Sequence, residues 1–298
     1  MFISKLNSLK ARILEVVPAK LIGAAFMMSW ALLFSTAMAF SKTLHPDVHS
    51  LVILFMRCLF GFMIFSPFAL KMGLAAFKTN RPLLHLLRVC FMCSAMACTY
   101  YAYRNLPLAT ATSIGMTGPL FTTMLAMLIL RDNVSLQKWG VILLGYVGVL
   151  VVVRPHEIEI TPAIWVEILA NIFAACTIIC VKLLSKTEET VTIMMYATSA
   201  AVIVSGLAAV SVWQPPSYED ILTLVAIGAL GVSSQFCSVT ALKFANPSYL
   251  SPFEYTRLCF AIPVGFFFFE EVPTLWVLAG SLIIILATTL LTKMEMKT

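Results

Sequence analysis

The chain has 298 residues, of which 60% are hydrophobic and only 11% are charged, and its mean hydropathy is +0.95. Soluble domains carry about a quarter of their residues as charged side chains, so this composition excludes a soluble protein and indicates a bilayer protein. The net charge of +6 does not indicate nucleic-acid binding, because the basic residues lie singly between apolar runs and form no patch.

The amino-terminal segment, residues 1–20, intersperses apolar and basic residues, which predicts an amphipathic helix on the inner membrane surface. A cleaved signal peptide is the competing interpretation, because the following apolar run contains Ala37-Met38-Ala39, a typical cleavage sequence. That run has about 20 residues, which is longer than the apolar region of most signal peptides, so we favour a retained first span.

Ten apolar runs follow one another along the chain, each about as long as the 20 residues that cross a hydrocarbon core as a helix. Turn and charge clusters separate them, and the connections are too short to contain a soluble domain. The predicted spans are 21–40, 50–70, 84–103, 109–130, 137–153, 162–181, 190–212, 220–242, 248–269 and 275–291.

The lysines and arginines predict the orientation of these spans. A cytoplasmic amino terminus places fourteen of them inside and only Lys42, Arg104 and Arg154 outside, with three more within spans. Because cytoplasmic loops are enriched in these residues, both termini are predicted to be cytoplasmic.

The second half of the sequence repeats the first at an offset of about 139 to 140 residues, which aligns Lys42 with Lys182 and pairs several loops. Each half has five spans, an odd number, so the halves must insert in opposite orientations, as in many secondary transporters. The sequence therefore predicts an all-α membrane protein with two inverted five-helix repeats, residues 21–153 and 161–291, and a cytoplasmic tail at 292–298.

Bound metal, cofactor and catalytic residues are not expected. All eight cysteines fall within predicted spans without a histidine cluster, and no nucleotide-binding loop or hydrolase motif is present. Gly118-Pro119 and Pro263 are instead expected to bend the fourth and ninth helices at mid-depth, because proline removes a backbone hydrogen bond.

Two charges in the ninth span, Glu254 and Arg257, are the strongest indication of a functional site. Together they cost about 5–7 kcal/mol on membrane insertion, whereas the apolar residues of that span return only about 3–6 kcal/mol. Glu254 is the only carboxylate that we place near mid-membrane. We predict that the two side chains face the same way and act as a coupled pair in transport, although a purely structural ion pair remains the alternative.

Other polar and aromatic residues within spans allow two interpretations each. Trp30 lies at the depth of Arg257, so it is either a stacking wall for a substrate ring or a packing residue. Arg57 is either cavity-lining or structural. Arg88 is expected to reach the inner headgroups, with a functional charge inside the membrane as the alternative, and Asn171 is expected to bridge helices rather than to contact a ligand. The predicted substrate-binding set is Trp30, Arg57, Glu254, Tyr255 and Arg257.

Two segments, residues 106–150 and 246–285, each close a half with a short loop, an acidic residue and a glycine-containing last helix. In this respect nearly the whole chain from Leu21 resembles the EamA type of the drug/metabolite transporter superfamily. The arginines in the second, third and ninth spans look most like its importer branch, which includes bacterial carriers of S-adenosylmethionine and riboflavin. One departure is Arg131-Asp132, where the family more often has Gly-Glu.

The resemblance implies a secondary transporter in the bacterial inner membrane that moves a small polar organic metabolite, such as an amino acid, S-adenosylmethionine or a vitamin, by alternating access. A membrane-embedded lipid-linked transferase and a non-transporting scaffold subunit are the alternatives. A small-molecule substrate and the lipid bilayer are the expected partners, and the sequence leaves a homodimer open. Substrate, direction and coupling ion are not determined.

Overall fold

The computed structural model describes residues 18–45, 47–70, 79–106, 114–132, 134–153, 161–257, 259–260, 263 and 275–296. Every regular element among these residues is helical, which confirms the predicted all-α class. The helices of the first half are α1 Ala19–Lys42, α2 Ser50–Leu70, α3 Pro82–Asn105, α4 Gly118–Leu125 with a π-helical turn Ala126–Leu130, and α5 Leu136–Val153.

The second half repeats this order. Its helices are α6 Pro162–Ser185, α7 Thr190–Val210, α8 Tyr218–Phe244, α9 Pro247–Leu250 with the 3-10 turn Ser251–Tyr255, and α10 Leu275–Met296. Prolines stand in the first turns of α3, α4, α6 and α9, where a missing backbone N–H costs nothing.

The strongest contacts between the ten helices keep their pairing when each helix is exchanged with the one five places further along. The contact of α1 with α8 becomes the contact of α6 with α3, and the α2–α7 and α5–α10 contacts map onto themselves. Such an exchange is what two interlocked repeats produce, so the prediction of two inverted five-helix repeats is confirmed.

Length and hydropathy make six of the described helices, α1, α2, α3, α6, α7 and α8, capable of crossing a bilayer. Shorter apolar helical stretches in α4, α5 and α10 accompany them. Large apolar side chains such as Leu128, Leu207 and Leu222 face outward, with 73–77% of their surface exposed. An apolar exterior of this kind is the surface expected against lipid chains.

Two further predictions concern helix geometry. The break in the fourth helix is confirmed, because a turn at Met116–Thr117 precedes Gly118-Pro119 and α4 starts there. The bend predicted at Pro263 lies mostly outside the described residues. So does the amphipathic segment predicted at residues 1–20, of which only Pro18, Ala19 and Lys20 are described. Arg131 has φ of 55°, the left-handed conformation that glycine adopts most easily.

Candidate functional site

A cavity of about 190 Å³ lies inside the bundle between α1, α2, α3, α4, α6, α8 and α9. Both repeats contribute to its walls. Among the described residues that line it, five carry charged side chains, which are Arg57, Arg88, Glu167, Glu254 and Arg257. Charges are rare inside membrane bundles and usually mark the path of a substrate or ion.

Four of the five predicted binding residues line this cavity, namely Trp30, Arg57, Glu254 and Arg257. The fifth, Tyr255, does not. It is fully buried in a cluster with Met116, Val149 and Ile284, in a slot left open by Gly145, where an added Cβ would lie 2.5 Å from Cδ2 of Tyr255. Because neighbouring helical residues point in different directions, Glu254 faces the cavity while Tyr255 packs behind it.

Arg257 is held against two aromatic rings of α1. Its Cζ atom lies 5.3 Å from the ring centroid of Trp30 and 5.2 Å from that of Phe34, and the two rings stack with centroids 5.5 Å apart. Its Nη2 atom also contacts Sδ of Met116 at 3.7 Å. A guanidinium over aromatic faces gains cation–π attraction, so these contacts fix the position of the positive charge.

Glu254 lies at the break of the fourth helix. A Cβ atom added to Gly118 would lie 3.9 Å from Oε2 of Glu254 and 3.3 Å from Oδ1 of Asn171, so the bare glycine brings these two side chains close together. Among the described residues, no ion pair within 4.0 Å joins Glu254 to Arg257. The two side chains face the same cavity, as predicted, but each has its own surroundings rather than a direct pair.

Asn171 bridges helices, as the sequence predicts. Its Nδ2 atom donates to the backbone oxygens of Ile114 at 2.9 Å and Glu167 at 3.0 Å, and its contact with Oγ1 of Thr117 is 3.4 Å. The side chain therefore holds α6 against the chain immediately before α4.

Glu167 is a second buried carboxylate that the sequence reasoning did not identify. Only 2% of its surface is exposed, and its Oε2 atom has no hydrogen-bond partner among the described residues. It precedes Asn171 by four residues, so both lie on one face of α6. That spacing was the available signal, because Asn171 was singled out from the sequence but Glu167 was not.

Arg88 does not reach the headgroups, so that expectation is wrong. It is 1% exposed, and Nη1 donates to the backbone oxygen of Ile193 at 2.6 Å. Because α7 covers this part of α3, the guanidinium finds its partner inside the protein and lines one end of the cavity.

The same end of the bundle has further polar contacts between the two repeats. Nε2 of His85 lies 2.6 Å from Oε2 of Glu188, both side chains are buried, and Thr79 donates to the other carboxylate oxygen. Across the bundle, Asp132 accepts hydrogen bonds of 2.7 Å from Asn246 and Ser248. These contacts join the repeats where α3 and α9 begin.

Comparison with known proteins identifies relatives along almost the entire chain. The EamA-like transporter family matches residues 21–154 and again 161–293. The S-adenosylmethionine uptake transporters of Rickettsia prowazekii and Rickettsia bellii are 32% and 31% identical over 86% of this chain and 87% and 88% of their own. A riboflavin transporter of Rhizobium johnstonii is 25% identical over 95% of each chain.

The fold is shared with solved structures, among them a crystal structure of a protein. The latter superposes with a TM-score of 0.76 over 93% of this chain and 96% of that one, at 15% identity. The chain therefore belongs to the EamA-like transporter family and is a multi-pass membrane transporter of small metabolites rather than an enzyme.

Proposed function

We propose that this chain is a secondary transporter that moves S-adenosylmethionine, or a closely similar charged metabolite with a flat ring, across the bacterial inner membrane by alternating access. One observation carries the proposal. Both repeats supply charged side chains, and the first repeat supplies aromatic ones, to one cavity in an otherwise apolar bundle. The similarity to S-adenosylmethionine uptake transporters, at 31–32% identity, supports the choice of metabolite.

The cavity side chains suit a molecule with three chemical parts. The stacked rings of Trp30 and Phe34 offer an aromatic face to a purine ring. The guanidinium groups of Arg57 and Arg257 can donate to a carboxylate, and Glu254 can accept from an ammonium group. Tyr255 has no part in this assignment, because it packs outside the cavity.

Alternating access requires the repeats to separate at one end while they close at the other. In the proposed cycle, the contacts made by His85, Glu188 and Asp132 are broken when the cavity opens at their end.

The orientation within the membrane is part of the proposal. We place both termini and the loop between α2 and α3 in the cytoplasm, with residues 1–20 on the inner surface and residues 292–298 as a tail, because the lysine and arginine bias favours it. Reporter tags at the two termini and in the 71–82 loop should all report the cytoplasm. Termini on opposite sides would contradict the inverted arrangement.

The decisive experiment is uptake into proteoliposomes that contain the purified full-length chain, with S-adenosylmethionine, riboflavin, amino acids and nucleosides offered in turn. We expect saturable S-adenosylmethionine transport. Arg257→Lys should weaken it at least about ten-fold, since lysine cannot provide the planar, two-pronged donor. The exposed Glu219→Gln is the matched surface control and should leave transport unchanged. Absence of saturable S-adenosylmethionine movement in either direction would refute the proposal.

A further inference from the structure

Three side-chain oxygens from α6 and α9 line one side of the cavity. They belong to Glu167, Asn171 and Glu254, which we call the acidic wall. We infer that the acidic wall binds a positively charged centre of the transported molecule, a sulfonium or ammonium group, and that Glu167 selects for this charge. The inference rests on the proposed transport function and names the part of the site that distinguishes cationic from neutral molecules.

Burial of the carboxylates is the first argument. Glu167 and Glu254 are 2% and 7% exposed, and Oε2 of Glu167 has no partner among the described residues. A buried carboxylate without a partner is costly, so such a group persists where a ligand completes its surroundings.

The amide of Asn171 is the second argument. Its NH₂ group is already committed to the backbone oxygens of Ile114 and Glu167. The remaining atom, Oδ1, lies beside Gly118 on the cavity side, together with Oε2 of Glu254. With both carboxyl groups ionised, the acidic wall presents acceptors only, which is the complement of a cation and not of an anion.

The balance of charges is the third argument. Arg257 lines the same cavity as Glu167 and Glu254, and it forms no ion pair within 4.0 Å with either among the described residues. Arg88 is occupied by a backbone oxygen at one end of the cavity, and Arg57 packs against α8 at Gly231. A positive charge on the ligand would therefore supply the ion-pair partner that both carboxylates lack among the described residues.

The test uses two pairs of probes that differ mainly in a positive charge on sulfur. S-Adenosylmethionine is compared with S-adenosylhomocysteine, and S-methylmethionine with methionine, by equilibrium binding to the purified full-length protein. The wild-type chain should prefer the charged member of a pair. Glu167→Gln keeps the size and polarity of the side chain but removes its charge, and it should reduce that preference at least about ten-fold. Glu167→Asp should retain part of the preference, and Glu219→Gln all of it.

The outcomes separate this inference from the proposed function. If S-adenosylmethionine and S-adenosylhomocysteine bind equally well, or if Glu167→Gln keeps the wild-type preference, the selection of charge by Glu167 is refuted while the proposed metabolite stands. If only the methionine pair binds, with a preference that Glu167→Gln abolishes, the inference holds and the proposed metabolite is wrong. Failure of both pairs to bind would overturn both.

Discussion

Gly231→Ala should displace Arg57 from the cavity without any change to Arg57 itself. The glycine lies on α8 where the side chain of Arg57 crosses the helix, and an added Cβ would be 2.5 Å from Nε, 3.2 Å from Cζ and 3.3 Å from Cγ. Ordinary contacts need about 3.5 Å or more, so Nε must move by about 1 Å. The side chain can rotate away, so the fold should tolerate the change.

The size of the effect follows from what a guanidinium contributes to binding. A hydrogen bond to a charged group is worth about 1.5–3 kcal/mol, so losing the Arg57 contact should weaken substrate binding about 10- to 100-fold. The unfolding temperature in detergent should stay the same or rise slightly, since alanine favours a helix interior by about 0.5–1 kcal/mol over glycine. Equilibrium binding and thermal unfolding of the same preparations measure both quantities.

A double-mutant cycle decides whether the effect passes through Arg57. The Gly231→Ala and Arg57→Ala losses should not add, because the second change removes the group that the first displaces. Gly140→Ala is the matched control, since a Cβ at that exposed helical position meets no described atom within 4 Å. Fully additive losses, or equal losses from the control, would refute the reasoning.

Three further predictions concern stability, read as the unfolding temperature of the purified protein in detergent. Gly148→Ala places a Cβ 2.9 Å from the backbone oxygen of Gly280 and should force α5 and α10 apart, which should lower the free energy of unfolding by about 1–3 kcal/mol. An unchanged unfolding temperature would contradict this close packing. Arg131→Gly relieves the left-handed backbone at φ 55° and should stabilise the protein by up to about 1 kcal/mol, whereas a decrease would show that the arginine side chain matters more. Glu188→Ala leaves the buried His85 without its 2.6 Å partner and should lower the free energy of unfolding by about 1–3 kcal/mol. The double variant with His85→Ala and Glu188→Ala should lose less stability than the sum of the two single variants.

The fold could be predicted from the sequence because its determinants are local or periodic. Apolar runs of bilayer length, turn clusters and an odd number of spans per half are all visible without knowing any contact. The break before Gly118 could be predicted as well, since proline at position 119 restricts the backbone whatever surrounds it.

The site could be predicted only in part, because side-chain direction depends on contacts between distant segments. The hydrogen bond of Arg88 joins it to a residue 105 positions away, so depth along its own span gave the wrong environment. The tight turn at the start of the ninth helix sends Tyr255 and Glu254 to different neighbours. Glu167 was missed because its importance depends on the cavity that other helices enclose.

The two repeats share their helix packing but differ in the side chains that they place at equivalent positions. At an offset of about 140 residues, Trp30 corresponds to Ala170 and Arg257 to Thr117. An aromatic or charged side chain in one repeat therefore has a small uncharged side chain at the equivalent position of the other. In the proposed cycle, a two-fold exchange of the repeats therefore relates the inward-facing and outward-facing backbones, but the two states present different groups to a solute. Such a carrier should half-saturate at different concentrations on its two faces, even while the gradients alone determine the net direction of flow.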